Sequence, residues 1–202
     1  MIRIEEEKDF FEVENLTREA FWNIYRPGCF EHLVIHNLRN ENCFIKELDY
    51  VIEEDNKIIA NIVYSLGTII TREGEQKEVL TFGPVSVHPE YQGKGYGEKI
   101  INYTLDLAKN NYPCVLITGN PDYYKKYGFE SASKYGIYYT GMPENEELPF
   151  FMIKVFNEEE TSKLKGFYTD PECFNIDESQ LEEFDKQFPK KEKEKREGQL
   201  EN

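Results

Sequence analysis

The chain has 202 residues, enough for one ordinary domain with a real hydrophobic core plus an appendage. Its 24 Lys and Arg stand against 39 Asp and Glu, a formal net charge of −15, which repels phosphate backbones and anionic bilayers and argues against nucleic-acid or membrane partners. Cys29, Cys43, Cys114 and Cys173 show no C-x-x-C spacing, the first residues lack an apolar signal core, and no run nears the ~20 apolar residues of a membrane helix, so a reduced, cytoplasmic protein is expected.

Residues 9–25 place Phe10, Phe11, Val13, Leu16, Ala20, Phe21, Trp22 and Ile24 mostly three and four apart, the spacing of an amphipathic helix. A second helix is expected from Phe30 to Leu38, after Pro27 and Gly28. Tyr50–Glu54 and Ile58–Ile70 read as strands joined by a turn at Asp55, Asn56 and Lys57, with a bend expected at Gly67. Val79 to His88 is a further strand, stopped by Pro89. A helix over Glu98 to Asn110 follows, its stripe formed by Ile101, Leu105 and Ala108, and Pro113 closes it. Cys114–Thr118 reads as a strand, Tyr123–Tyr127 as a short helix ended by Gly128, and Phe150–Phe156 as another strand. Helices, antiparallel strands, then strand, loop, helix and strand imply a mixed α/β sandwich. Beyond residue 156 the composition turns polar, with one helix expected over Asp177 to Phe188 and a charged, disordered tail at 190–202.

The segment Gln92-Gly93-Lys94-Gly95-Tyr96-Gly97 carries the chemistry. Alternating glycines let a loop curl through positive φ and turn successive N–H groups to one point, where the dipole of the following helix adds positive potential. Such a turn suits a pyrophosphate. The Walker A string G-x-x-x-x-G-K-S/T does not occur, and G-x-G-x-G after antiparallel elements does not fit a dinucleotide fingerprint. The segment closely resembles the acyl-CoA-binding motif of the GNAT superfamily of N-acetyltransferases, Gln/Arg-x-x-Gly-x-Gly/Ala. The preceding Val85-Ser86-Val87-His88-Pro89 resembles that family's splayed central strand. Downstream, Tyr124-Lys125-Lys126-Tyr127-Gly128-Phe129 resembles its second motif, Y-x-x-x-G-F.

That resemblance is clear over residues 45–156 and implies a GNAT acyltransferase fold: a mixed, mostly antiparallel central sheet with helices on both faces. It implies an N-acetyltransferase domain over 1–156, with 157–189 a C-terminal extension carrying one helix. It further implies acetyl-CoA as cosubstrate, no metal, and direct attack of an amine on the thioester. By the same resemblance Val85, Ser86, Val87, Gln92, Gly93, Lys94, Gly95, Tyr96, Gly97 and Asn120 are the cofactor-binding residues. Tyr124 is the proton donor to the departing thiolate, because a phenol near pKa ~10 can protonate a thiolate whose acid lies near ~8.5. Asn120 is equally suited to cap the helix before Pro121.

No carboxylate lies between Thr81 and Val87, so Glu78, Glu31 and His36 are the remaining candidates for a general base. Cys29, His32 and His36 have helical spacing but lack a fourth ligand, so packing and capping account for them better than a metal does. The acidic balance favours a cationic small-molecule amine as acceptor. A protein N-terminus or lysine as acceptor, and a CoA-binding protein without catalysis, stay open, as does a homodimer formed through the C-terminal appendage.

Overall fold

In the computed structural model, which describes residues 1–144 and 146–200, the chain falls into two compact units. One comprises Met1–Val63, Pro84–Ile101 and the segment from Glu172 onward; the other comprises Tyr64–Gly83 and Asn102–Pro171. The strands in chain order are β1 (Ile2–Ile4), β2 (Tyr50–Glu54), β3 (Lys57–Thr71), β4 (Gln76–Val87), β5 (Cys114–Thr118), β6 (Glu130–Ser131), β7 (Ile137–Tyr139), β8 (Phe151–Val155) and β9 (Gly166–Thr169). The helices are α1 (Phe10–Phe21), α2 (Glu31–Leu38), α3 (Tyr96–Ala108), α4 (Pro121–Tyr124), α5 (Glu158–Thr161) and α6 (Glu178–Asp185). Hydrogen-bonded neighbours follow β1-β2-β3-β4-β5-β8-β6, with β9 on β3 and β7 on β9. The β4–β5 and β7–β9 pairs are parallel, while β1–β2, β2–β3, β3–β9, β5–β8 and β6–β8 are antiparallel. This is the mixed, mostly antiparallel sheet that the family resemblance implied.

In the first unit the β2–β3 turn holds Asp55 at φ 51° and Asn56 at φ 60°. Two left-handed residues make the tight turn whose twist matches the strands, and Asp and Asn tolerate it best after glycine. Val13 and Leu16 of α1 and Ile35 and Leu38 of α2 pack on Val51, Ile58 and Val63. Arg18 of α1 is fully buried and answers Asp185 of α6 through Nε at 2.6 Å and Nη2 at 3.2 Å. Its guanidinium also lies over the Trp22 ring, 4.2 Å from the centroid. The Asp177 carboxylate caps α6 by accepting from the Gln180 amide at 2.9 Å, and Leu181, Phe184 and Phe188 pack on Leu33.

The charged stretch at 190–200 lies along the segment that follows α1. The Glu192 carbonyl accepts from Trp22 Nε1 at 2.9 Å and Asn23 Nδ2 at 3.0 Å, and the Leu200 amide donates to the Tyr25 carbonyl at 2.9 Å. Main-chain groups make these contacts, so side-chain periodicity carries no sign of them. The end of the expected tail, Glu201 and Asn202, lies outside the described residues.

In the second unit β5 is wholly interior apart from Thr118, pairing with β8 from Cys114↔Val155 to Thr118↔Phe151. Ile69, Val79, Leu116, Ile137, Ile153 and Tyr168 form its core. The bend expected at Gly67 is absent, because β3 runs unbroken through it. A Cβ there would stand 2.4 Å from Cε2 of Tyr168, so the glycine makes room for a buried ring. Residues 157–189 carry α5 and β9 as well as α6. Strands of two to four residues such as β1, β6, β7 and β9 are too short to show a period of two, which is why sequence patterning passes over them.

Removing Asp185 would strand a buried guanidinium. Asp185→Ala is expected to cost about 3 kcal/mol of unfolding free energy, read by urea denaturation. Burial works to raise the Asp185 pKa, but the Arg18 hydrogen bond and charge overcome it and hold the carboxyl below its ordinary value. The wild-type contribution is therefore present above the unfolded value near ~4 and lost as pH falls through the lower folded value, a loss that Asp185→Ala should not show.

Candidate functional site

One candidate region, within the first unit, is β4 from Pro84, the glycine turn and the start of α3. β4 changes character at Gly83, which sits at φ 143°, and at Pro84, which has no N–H to give. Its parallel register with β5 covers Leu80↔Val115 and Thr81↔Leu116 and stops there. Beyond Pro84 the side chains alternate: Val85 and Val87 are half-buried, while Ser86 is fully buried and its Oγ donates to Thr17 Oγ1 at 2.9 Å. Ser86 can therefore offer a ligand only its backbone.

After β4, His88 Nδ1 accepts from the Glu90 amide at 3.3 Å, and its pKa is lowered by burial and by the nearby Lys57 charge. Gln92 Nε2 donates to the Val87 carbonyl at 3.0 Å, tying the start of the turn back to the end of the strand. Gly93 and Gly95 then take φ 73° and 86°. A Cβ at either would meet nothing within 4 Å, so these are glycines because of their dihedrals, and the space beside them is open. The Lys99 amide donates to the Gly95 carbonyl at 2.9 Å. Gly95 is thus the N-cap, and the amides of Tyr96 and Gly97 come before the first intrahelical donor, the Lys99 amide. With the α3 dipole behind them they form an anion cradle. The helix was expected from Glu98; it starts at Tyr96, inside the motif, because Gly97 already has helical dihedrals. Lys94 Nζ lies 5.1 Å from the centroid of the Tyr91 ring, and the Tyr96 hydroxyl donates to Glu54.

A separate candidate region, within the second unit, is that around α4. Asn120 Oδ1 accepts from the Asp122 amide at 2.9 Å and Pro121 occupies the first helical position, so Asn120 is the N-cap of α4. Tyr124 ends the helix in an aromatic nest, its ring 5.8 Å from Phe129 and 6.0 Å from Phe82, with Tyr123 T-shaped against it at 5.0 Å. Gly119 makes that seat possible, since a Cβ there would come within 2.6 Å of Tyr124 Cε2. Tyr64 belongs to the same nest. Its buried hydroxyl shares a hydrogen bond with Thr104 at 3.0 Å, and its pKa is raised by burial, with a smaller upward push from Tyr124. Sequence reasoning passed over Tyr64 and Gly119; only the ring packing marks them.

The other candidates are occupied elsewhere. Cys29 Sγ lies 3.5 Å from His32 Nδ1, but His36 Nδ1 pairs with Glu14 at 2.9 Å and its ring packs on Phe184. Burial pushes the Cys29 thiol up and lowers the His32 pKa to about 4, which suits a packed interior pair. Among the described residues no group of three or more His, Cys, Asp and Glu could hold a metal ion. Glu31 accepts from the Phe30 amide at 3.0 Å and its pKa is raised by burial. Glu78 is exposed near the start of β4.

Comparison with known proteins gives likenesses in sequence and in fold. Residues 43–131 match the family model of the acetyltransferase (GNAT) domain, a span that holds the glycine turn and α4. The uncharacterized N-acetyltransferase YhbS of Escherichia coli K12 is 24% identical over 138 residues, 68% of this chain and 77% of that one. The crystal structure of Escherichia coli YhbS in complex with CoA superimposes with a TM-score of 0.73 at 21% identity, covering 87% of this chain and 92% of that one. A GNAT acetyltransferase of Brucella melitensis in complex with acetyl-CoA gives 0.67 at 25% identity, covering 86% and 97%.

Gly119→Ala is expected to push the Tyr124 ring out of its nest. The contacts of that ring with Phe82 and Phe129 should weaken in nuclear Overhauser spectra, and stability should fall by about 1–3 kcal/mol.

Proposed function

We propose that the chain is an N-acetyltransferase of the GNAT superfamily, whose domain model residues 43–131 match, and that it transfers the acetyl group of acetyl-CoA to a primary amine of a cationic small molecule. The observation that carries the reading is the turn at 92–97, where Gly93 and Gly95 take positive φ directly before the first turn of α3, whose first intrahelical acceptor is the Gly95 carbonyl. A pyrophosphate suits that turn, with the amides of Gly93, Lys94, Gly95, Tyr96 and Gly97 as donors. The backbone of Val85, Ser86 and Val87 would pair with the pantetheine amides, and Gln92 would act through the Val87 carbonyl it already holds. The Asn120 Oδ1 is spent on α4, so a role toward the cofactor would fall to its Nδ2 donors.

The amine nitrogen attacks the thioester carbon, the carbonyl π pair moves to oxygen, and a backbone N–H of β4 at Val85 stabilises that oxyanion. Collapse breaks the C–S bond. The thiolate takes the proton of the Tyr124 hydroxyl, the amide product loses its extra proton to water, and the phenolate is reprotonated from solvent. Tyr64 keeps its own proton throughout, since its buried phenol lies well above the usual range. Glu31 and His36 already have protein partners, so the nucleophile enters as the neutral amine drawn from solution.

Three measurements test this. Tyr124→Phe should cut turnover by ~100-fold or more while CoA affinity stays within a few-fold, and unchanged turnover would remove Tyr124 from the mechanism. Gly95→Glu, which adds both a side chain at φ 86° and a negative charge, should abolish calorimetric binding of CoA. With two amines of different basicity, kcat/KM should rise with pH along each amine's own titration. A single inflection shared by both amines would reveal an enzyme base and overturn the last step of the argument.

A further inference from the structure

Within the second unit, three basic side chains surround one cavity of about 370 Å³. Arg72 follows β3, Lys134 lies in the turn before β7, and Lys165 immediately precedes β9. Tyr135 and Tyr138 complete the apolar part of the wall. We propose that this cavity binds a phosphate ester, a dianionic head group on a small planar or cyclic body, independently of the glycine turn.

The wall is built by the sheet. The Arg72 amide donates to the Lys165 carbonyl at 2.9 Å, and the Gly166 amide donates to the Gly136 carbonyl at 3.0 Å, so the segments bearing the three cations are fastened by main-chain bonds. β9 is in register with β3 at Thr71↔Gly166 and with β7 at Ile137↔Gly166, which brings the residues just outside those pairs to the same end. Gly136, at φ 71°, leaves the Lys165 stem a path, since a Cβ there would stand 3.3 Å from its Cγ. The Arg72 guanidinium rests over the faces of Tyr138 and Phe167, 5.6 and 5.4 Å from the centroids, which holds its plane.

The charges argue for an anion. Elsewhere Lys109, Lys125, Lys163 and Lys186 each pair with a carboxylate three residues away. Lys165 has no ion-pair partner among the described residues. Arg72 pairs with Glu144 and Lys134 with Glu130, but both pairs are well exposed, so water screens them and an incoming dianion can replace them. The volume exceeds what a bare oxyanion fills, roughly a dozen times the ~30 Å³ share of one water, and the two tyrosines give an ester's organic part a surface to lie on.

The test is a 31P NMR titration of the full chain with phenyl phosphate and with inorganic phosphate, in chloride of matched ionic strength. A saturable shift of the phenyl phosphate line is expected. The double variant Arg72→Gln, Lys165→Gln should weaken it about tenfold or more while CoA affinity is unchanged, which also reports that the chain is folded. Gly95→Glu should leave the phenyl phosphate response intact. No saturable shift, equal affinity in the double variant, or a response lost in Gly95→Glu and kept in the double variant would each overturn the proposal; the last would send the phosphate to the glycine turn. Saturation by inorganic phosphate alone, with no gain from the ester, would overturn the assignment of the ligand class.

Discussion

Two backbone angles govern the site. Gly93 and Gly95 must hold φ near 73° and 86°, a region where a side chain costs about 1–2 kcal/mol per residue even when nothing is in its way. With those angles the chain reverses from the end of β4 into the first turn of α3. A helix leaves its first N–H groups without intrahelical acceptors, and here they follow directly on the glycine turn. The Gln92 side chain locks the turn to Val87, and the strand before it alternates half-buried valines with an interior serine fastened to α1. Strand edge, turn and helix start are therefore one device with glycine dihedrals at its centre.

The anionic cosubstrate proposed for this acidic protein is less at odds with it than the net charge implies. The field of −15 charges is spread over the surface and fades beyond a Debye length of about 8 Å in physiological salt. A helix start acts at hydrogen-bond distance, with partial charges that cost no side-chain entropy to arrange. The same distribution raises the local concentration of cationic amines. Backbone for the anion and surface charge for the cation divide the two tasks without competing.

The interior of the first unit uses many of its ionisable groups for structure. Arg18 is neutralised by Asp185, and Arg39 by Glu5 at 2.6 Å and Glu14 at 2.7 Å. Asp49 in the same packed network has its pKa raised by burial and by the adjoining Glu5, and its Oδ1 accepts from Asn61 Nδ2 at 3.1 Å. Carboxylates committed in this way hold helices in place and are poor candidates for proton traffic. The contrast with the Tyr124 nest is instructive: there the surroundings are aromatic, and the groups present are phenols that carry protons rather than charges.

Read alone, the amino-acid order determined what depends on near neighbours. The helix over residues 10–21, the hairpin at Asp55 and Asn56, the β5 strand and the glycine turn were legible because period, turn chemistry and motif are local properties. Tyr124 was legible through its place in a motif, and Asn120 through the proline that follows it. Tertiary structure alone decided what depends on partners far along the chain. Gly67 is a seat for Tyr168 rather than a bend, Gly119 is a seat for Tyr124, and Ser86 turns inward to Thr17. Residues 190–200 lie against Trp22, Asn23 and Tyr25 through main-chain bonds that their charged side chains do not foretell. Arg72, Lys134 and Lys165 meet at one cavity only because β9 pairs with both β3 and β7. Local dihedral preference is written residue by residue, whereas a steric vacancy or a gathered charge exists only once distant segments have been packed together.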